Sequence, residues 1–306
     1  MNLPNLVIAG APKCGTSSLY KWLADHTEAC GSEVKETFYL MDEGHPLLRK
    51  NANFHRSGLE GYRAHFNHNG SKACRLIFEA TTHYLYQQTA LEVLSSLPKP
   101  PQIVFVLRKP SERVYSSFQY SKHNLANVKR SLTFAQYVDE VKRNPSSRLI
   151  DEYAGASAYV LRNDIRYSRY IEYLSGWVAR FGSERVHVLL FEEMKKDPRA
   201  FMQNFARRLC IDPTFYDSYN FPIKNETIRV KHPSLHRQVR RLGALVPGRG
   251  VLKSTVKNVY LKAQSDQSAQ GKTASDRLAL AELERDFRPY NQRLSDELGL
   301  DLSIWN

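Results

Sequence analysis

The sequence predicts an α/β fold with three layers, in which helices cover both faces of a central parallel sheet. Apolar runs of strand length alternate with segments of helix length, and parallel strands need connections of that length. The chain has 306 residues, of which 42% are hydrophobic, enough apolar surface for one large core. The sequence shows no internal repeat and no linker, so we expect one domain over residues 1–306.

The first half of the chain contains three strand–helix pairs. Each predicted strand is a continuous apolar run, which is typical of strands buried on both faces of a sheet. The predicted pairs are residues 5–10 with 16–25, residues 75–80 with 88–96, and residues 102–107 with 111–122.

The second half of the chain continues the alternation. Asp197 followed by Pro198 is typical of an N-cap and a first-turn proline, and it predicts a helix with one apolar core face. The other predicted elements are a helix over residues 170–181, a strand over residues 185–191 and a closing helix over residues 279–298.

Composition bounds the cellular compartment. The apolar runs are far shorter than the roughly 20 residues that a membrane span needs, and the N-terminus lacks the pattern of a signal peptide. We therefore expect a cytoplasmic protein. Its cysteines show no metal-ligand spacing, so we expect no metal ion, and they are too few for a disulfide framework, so we expect reduced thiols. These are Cys14, Cys30, Cys74 and Cys210.

The formal net charge of +13 favours anionic partners. Nucleic acid, an acidic glycan, a membrane surface and a phosphate-rich cofactor all satisfy that charge. Much of the excess lies between residues 231 and 262, where a solvated basic helix or loop is the alternative interpretation. Charge alone does not select the partner.

Residues 10–18, Gly-Ala-Pro-Lys-Cys-Gly-Thr-Ser-Ser, lie between a predicted strand and a predicted helix. The N–H groups and dipole of a helix N-terminus bind anions there. Gly10 and Gly15 have the spacing of a Walker A loop, yet Thr16 occupies the position of the Walker lysine. The lysine is Lys13 instead, which argues against an ordinary kinase or ATPase and favours another phosphate ester.

Residues 9–19 resemble the 5′-phosphosulfate loop of sulfotransferases that use 3′-phosphoadenosine-5′-phosphosulfate (PAPS), and residues 104–116 resemble their 3′-phosphate motif. The resemblance extends over most of the chain and is closest to the bacterial and heparan sulfate O-sulfotransferase branch. It implies a P-loop-type fold, PAPS as donor and Arg108 with Ser116 on the 3′-phosphate. The implied 5′-phosphosulfate contacts are Lys13, Cys14, Gly15, Thr16, Ser17 and Ser18. Helix capping is the alternative role for the last three.

Residues 34–39 are similar to the family segment that carries a catalytic glutamate, which implies Glu36 as general base. The alternative is a surface ion pair between Lys35 and Glu36. His83 is a second candidate for the base or for the acceptor site. Ala80 stands where the glycan enzymes carry a lysine, so another cation would have to compensate.

Residues 225–233 fall where the family closes a basic loop over the cofactor, which makes Arg229 and Lys231 candidates for donor contacts, with a solvated loop as the alternative. Tyr153, Tyr159 and Tyr167 lie in a stretch that lines an acceptor cleft or belongs to the core.

The function hypothesis is in-line transfer of a sulfuryl group from PAPS to the hydroxyl of a carbohydrate or small-molecule acceptor. A P-loop kinase or nucleotide hydrolase is the first alternative, and it requires Mg²⁺ carboxylates and a Walker lysine. A nucleic-acid or glycan-binding module is the second, and it explains the charge but neither phosphate motif. We expect no nucleic-acid partner. The sequence does not indicate an oligomeric state.

Overall fold

The computed structural model describes residues 3–66, 74–125, 128–129, 131–143, 155–223, 229–230, 265–266 and 271–306. The chain divides into two compact units. The first comprises Met1–Pro110, Arg169–Asn225 and Arg288–Asn306, and the second comprises Ser111–Ser168 and Glu226–Phe287. Lys231 and Tyr153, both candidates from the sequence, lie outside the described residues.

The first unit contains the predicted parallel sheet flanked by helices, with a fifth strand, Ala29–Gly31, that the sequence did not predict. The strands are β1 Leu6–Gly10, β2 Ala29–Gly31, β3 Leu76–Glu79, β4 Gln102–Leu107 and β5 Val186–Leu190, in the spatial order β2-β3-β1-β4-β5. Because β1 leads to β2 at one edge and β4 leads to β5 at the other, β1 and β4 flank the point where α/β sheets open a binding crevice.

The predicted helices are present, and the sequence did not predict those over Phe54–Arg63, Phe134–Arg143, Gly155–Tyr167 and Phe191–Lys196. They are α1 Thr16–Asp25, α2 Phe54–Arg63, α3 Gln88–Ser95, α4 Pro110–Gln119, α5 Phe134–Arg143, α6 Gly155–Tyr167, α7 Ile171–Phe181, α8 Phe191–Lys196, α9 Pro198–Arg208 and α10 Ala274–Leu298. Asp197 caps α9 as predicted, since its side chain accepts from the Ala200 N–H at 3.0 Å.

The helix predicted over residues 111–122 differs from the structure at both ends. α4 begins at Pro110, whose missing N–H costs nothing at a first helical position. It ends at Gln119, and a π-helical turn follows over Tyr120–Asn124. The second unit also contains the short antiparallel pair β6 Arg229–Val230 and β7 Ser265–Asp266.

Each unit has its own apolar core. In the first unit, the strand residues Leu6, Val104 and Phe105 are fully buried with Leu174 of α7. In the second, aromatic side chains of α4, α5 and α10 pack together, among them Phe118, Phe134 and Phe287.

A buried ion pair lies in the second unit. Arg113 and Asp164 are both fully buried, and Arg113 Nη2 lies 3.2 Å from Asp164 Oδ1. The Arg113 Nε also donates to Ser168 Oγ at 2.9 Å. Burial raises the pKa of Asp164, while Arg113 acts in the opposite direction. Arg113 is therefore a structural residue in the buried interior of this unit.

The prediction of reduced thiols is wrong for two of the cysteines. Cys30 and Cys74 form a disulfide, with their Cα atoms 5.7 Å apart. The reason is the parallel pairing of β2 with β3, in which Cys30 lies opposite Ile77 and brings the segment before β3 beside β2. Sequence spacing does not reveal such a pair, because the two cysteines are 44 residues apart.

Within the described part of the chain, none of the helices combines the length and the apolar character that crossing a bilayer requires.

Candidate functional site

The loop between β1 and α1 has the backbone of an anion site. Gly15 is the N-cap of α1 and adopts a left-handed conformation with φ 80°. Thr16, Ser17 and Ser18 form the first turn of α1, so none of them is its N-cap residue. Lys13 is half-buried and also has a positive φ of 70°, a conformation that is uncommon for residues other than glycine.

Packing beneath the loop excludes any side chain at Gly15. A Cβ there would lie 2.4 Å from Met194 Cε and 2.6 Å from the ring of Phe191. The glycine is therefore required both by its backbone angle and by contact with α8. This close approach places the loop directly against the carboxyl end of β5.

Arg108 follows the last residue of β4, as predicted. Its guanidinium carbon lies 5.0 Å from the centre of the Phe191 ring. The Arg108 carbonyl accepts from the Tyr170 hydroxyl at 2.9 Å, and the next N–H, that of Lys109, donates to Glu192 Oε1 at 2.9 Å. The arginine is half-buried, and the Phe191 ring lies beneath its guanidinium.

The segment that carries Glu36 is fixed to the end of β3 by a buried hydrogen-bond network. Thr81 Oγ1 accepts from the Thr37 N–H at 2.9 Å, and the Tyr84 hydroxyl accepts from the N–H groups of Tyr39 and Leu40, each at 3.1 Å. These contacts tie residues 37–40 to the segment after β3. The position of Glu36 is thereby set by the sheet.

Glu79, the last residue of β3, is the centre of that network. It is fully buried, and its carboxyl accepts hydrogen bonds from Thr37, Tyr62 and Thr81. Burial raises the pKa of Glu79, and the hydroxyl donors act in the opposite direction. Its role is to hold the backbone on which Glu36 lies.

Glu36 itself is half-buried and paired with a cation. Lys35 Nζ lies 2.9 Å from Glu36 Oε1, and Thr82 Oγ1 donates to the same oxygen at 3.2 Å. Burial alone would raise the pKa of Glu36, but Lys35, the nearby His83 and Thr82 outweigh it, so the pKa lies below its ordinary value. No hydrogen bond from the described residues reaches Oε2, which leaves that oxygen to accept a proton.

Lys35 lies beside Ala80, the position for which the sequence analysis expects a compensating cation. Its Nζ lies 3.3 Å from the Ala80 carbonyl oxygen, and the Ala80 N–H donates to the Lys35 carbonyl at 3.0 Å. A lysine from the Glu36 segment thus stands next to the position where the glycan enzymes carry theirs. The ion pair with Glu36, an alternative from the sequence, is present and belongs to this cluster.

His83 is buried among aromatic rings beside Glu36. Its ring centre lies 6.5 Å from that of Phe38, 6.3 Å from that of His45 and 6.1 Å from that of Tyr86. Sequence reasoning assigned no role to His45. These rings form an aromatic patch on the Glu36 side of the sheet edge.

Other candidates lie in the second unit. Ser116 is half-buried on α4, and only the backbone of Arg229, in β6, is described. The Tyr159 and Tyr167 hydroxyls lie 3.3 Å apart on α6, and Tyr167 is buried, so the core interpretation holds for it.

Sequence reasoning missed Tyr170 and Glu192, which hold the Arg108–Lys109 peptide. Glu192 lies in the segment after β5 that resembles the family, and this was the one available signal for it. Among the described residues, no group of three or more His, Cys, Asp or Glu side chains is arranged to hold a metal ion.

Comparison with known proteins bears on the family to which the chain belongs. The model of the sulfotransferase domain family matches residues 3–217. The chain is 22% identical over 215 residues to the bifunctional heparan sulfate N-deacetylase/N-sulfotransferase 3 of Homo sapiens, covering 70% of this chain and 23% of the relative. It is 24% identical over 224 residues to the corresponding enzyme 1 of Caenorhabditis elegans, covering 71% of this chain and 23% of the relative.

The chain thus spans under a quarter of the length of these curated relatives. Among solved structures, a sulfotransferase from Alicyclobacillus acidocaldarius superposes with a TM-score of 0.64 at 20% identity, covering 100% of this chain and 99% of that one. At that identity the likeness shows the fold. Because the family model covers more than half of the sequence, the chain belongs to the sulfotransferase domain family, whose chemistry is the transfer of a sulfuryl group.

Proposed function

We propose that this protein transfers a sulfuryl group from PAPS to an acceptor hydroxyl. The observation that carries the proposal is the order of three neighbouring strands, β3-β1-β4, whose carboxyl ends hold the Glu36 cluster, the Lys13 loop and Arg108. Neighbouring strands lie about 4.8 Å apart, so the three groups lie along roughly 10 Å of one sheet edge. The proposed base and the two proposed anion sites are therefore close enough together to serve one donor and one acceptor.

The donor set suits PAPS. The α1 N-terminus with Lys13, Cys14, Gly15, Thr16, Ser17 and Ser18 offers N–H, ammonium and hydroxyl donors to the 5′-phosphosulfate. Arg108 offers a guanidinium to the 3′-phosphate, with Ser116 as its proposed partner on the same phosphate. Two anion sites on neighbouring strands fit a nucleotide that is anionic at two separated positions. Arg229 and Lys231 stay proposed donor contacts from the sequence alone.

PAPS, when bound, supplies the sulfuryl group and a phosphate leaving group. Glu36 is ionised at neutral pH, because its pKa lies below the ordinary value, and Oε2 accepts the proton of the attacking hydroxyl. Lys13 lies in the 5′-phosphosulfate loop, where it stabilises negative charge that develops on the departing oxygen. Lys35 keeps Glu36 ionised and adds positive charge beside Ala80.

His83 is the alternative base. It is buried next to Glu36, and a neutral imidazole can act as a general base. The two candidates differ in the pH at which activity is lost, since a carboxylate with a lowered pKa remains a base in mild acid and an imidazole does not.

The acceptor is proposed to be a carbohydrate or a small molecule with a hydroxyl group. Phe38, Tyr86 and His83 present ring faces and edges near Glu36, and aromatic side chains bind sugar and aromatic rings alike. The relatives named above are called N-sulfotransferases, so amine acceptors belong in the same screen.

The Cys30–Cys74 disulfide bears on the cellular compartment of the protein. The cytoplasmic location stays a prediction, and the Cys30–Cys74 disulfide speaks against it, because such bonds persist in oxidising compartments. Thiol counting on protein alkylated at the moment of cell lysis distinguishes the two.

The proposal is tested by incubating the protein with sulfur-labelled PAPS and a panel of sugars, phenols, alcohols and amines, in EDTA. Label transfer to an acceptor supports sulfuryl transfer, and strict Mg²⁺ dependence contradicts it and favours a nucleotide kinase. Glu36→Gln should lower kcat by about 100- to 10,000-fold, while the exposed Lys195→Ala should not. Full activity of Glu36→Gln together with loss in His83→Gln would move the base to His83.

A further inference from the structure

The peptide that joins Arg108 to Lys109 is held from both sides. The carbonyl of Arg108 accepts from the Tyr170 hydroxyl at 2.9 Å, and the N–H of Lys109 donates to Glu192 Oε1 at 2.9 Å. Both polar groups of one peptide unit are therefore bound to side chains from later parts of the chain. Such a peptide cannot rotate or shift without breaking two hydrogen bonds.

Tyr170 also contacts the loop after β1. Its side chain is buried, and its hydroxyl lies 3.7 Å from Cys14 Sγ, within hydrogen-bond range for sulfur. The same hydroxyl thus touches the phosphate loop and the residue that carries the second anion-binding group. It therefore links the loop after β1 to the loop after β4.

Glu192 is itself locked. Its second oxygen, Oε2, accepts from Trp305 Nε1 at 2.9 Å, and Trp305 is buried. Phe191, the residue before it, supports both the Arg108 guanidinium and Gly15. With both oxygens in use, Glu192 cannot turn away from Lys109.

We propose that Tyr170 and Glu192 are positioning residues that set the spacing between the two anion loops, and thereby make the site selective for nucleotides with a phosphate at both the 3′ and the 5′ positions. This inference rests on the proposed function, because it assumes that Lys13 and Arg108 bind two phosphates of one nucleotide. We call the two residues the spacing clamp.

The selectivity follows because the two anion loops bind two phosphates of the same nucleotide. A nucleotide with a single phosphate uses one loop and tolerates a small displacement of the other. A nucleotide with two phosphates gains from the second loop only when the separation of the loops matches its own. Loosening the clamp should therefore weaken bisphosphate binding and leave monophosphate binding almost unchanged.

The test compares two probes on the same protein by calorimetry: adenosine-3′,5′-bisphosphate and adenosine-5′-monophosphate. The variants are Tyr170→Phe, which removes only the hydroxyl, and Glu192→Gln, which retains one acceptor oxygen for two separated donors. The ratio of the two affinities should fall about tenfold in each variant, the net worth of one buried hydrogen bond. A ratio measured within one protein is insensitive to a general loss of stability.

Matched controls are present in the same unit. The Tyr216 hydroxyl donates to the Trp22 carbonyl at 3.1 Å, and Glu28 Oε2 accepts from the Asp212 N–H at 2.7 Å, both away from the Arg108 peptide. Tyr216→Phe and Glu28→Gln should keep the wild-type ratio.

Wild-type protein that binds the bisphosphate, with clamp variants that keep the wild-type ratio or lose both affinities equally, overturns the spacing clamp and leaves the proposed function intact. Wild-type protein that does not bind the bisphosphate overturns the proposed function, and the clamp with it.

Discussion

The guanidinium of Arg108 lies over the ring of Phe191, with the guanidinium carbon 5.0 Å from the ring centre. The same ring lies against the backbone of Gly15, so closely that a Cβ there would approach it to 2.6 Å. One aromatic side chain at the carboxyl end of β5 therefore supports the loops that follow both β1 and β4. This arrangement fixes the two proposed anion-binding loops relative to each other.

Gly15→Ala should destabilise the protein more than a left-handed backbone alone explains. The backbone cost is about 1–2 kcal/mol, and the clash with Phe191 and Met194 adds about 1–3 kcal/mol. Gly44→Ala is the matched control, because Gly44 has the same φ of 80° and no atom within 4 Å of its Cβ position. Urea unfolding of the two variants measures the difference. Equal losses would show that α8 does not press on the loop.

Lys35→Met should move the acidic limb of the kcat/KM profile to higher pH. Lys35 opposes the effect of burial on Glu36, so its removal leaves burial to raise the pKa, and the ionised base is lost at a higher pH. Methionine retains the aliphatic stem, and Lys35→Arg should keep the limb near its original place. The profile is measured from about pH 4 to about pH 8. If the acidic limb does not move, Lys35 does not influence the pKa of the general base.

Tyr62→Phe should destabilise the fold by about 1–3 kcal/mol, and more at neutral pH than in acid. The Tyr62 hydroxyl donates to the buried Glu79 and lowers its pKa, so the bond stabilises the ionised form most. The loss should therefore grow as pH rises through the pKa of Glu79. Tyr39→Phe is the control, because the Tyr39 hydroxyl donates to the uncharged Gly58 carbonyl at 2.9 Å. Equal pH dependence in the two variants would contradict this account of Glu79.

Cys30→Ser should lower the free energy of unfolding by about 2–4 kcal/mol under oxidising conditions. The bond closes a loop with a sequence separation of 44 residues, and that loop carries Lys35 and Glu36. Cys210→Ser, at an exposed cysteine, is the control. Thermal unfolding with and without dithiothreitol gives the same comparison in wild-type protein. Unchanged stability in Cys30→Ser would mean that the bond does not form in solution.

Local patterns in the sequence predicted the parts of the site that depend on neighbours in the chain. The turn from β1 into α1 follows from an apolar run that ends at Gly10 and a glycine at position 15. The placement of Arg108 follows from the end of the apolar run over β4, and the cap of α9 follows from Asp197 and Pro198. In each case the deciding interactions lie within a few residues.

The sequence did not predict the contacts between residues that are far apart in the chain. Lys35 reaches Ala80 across 45 residues, Tyr170 reaches Cys14 across 156, and Lys109 reaches Glu192 across 83. Their meeting depends on strand order, because β3 and β4 both lie beside β1. From the sequence alone, a lysine next to a glutamate indicates an exposed ion pair. The order of the strands is needed to show that this pair lies at the end of β3.

The central claim is that Lys13 and Arg108 hold the two phosphate groups of a PAPS-type nucleotide. Calorimetric titration with adenosine-3′,5′-bisphosphate in EDTA tests it most directly, on wild-type protein, Lys13→Ala, Arg108→Ala and the exposed control Lys195→Ala. We expect a dissociation constant of about micromolar order for wild type and control, and loss of binding in both site variants. Absence of binding to wild-type protein, or binding that both site variants retain, would contradict it.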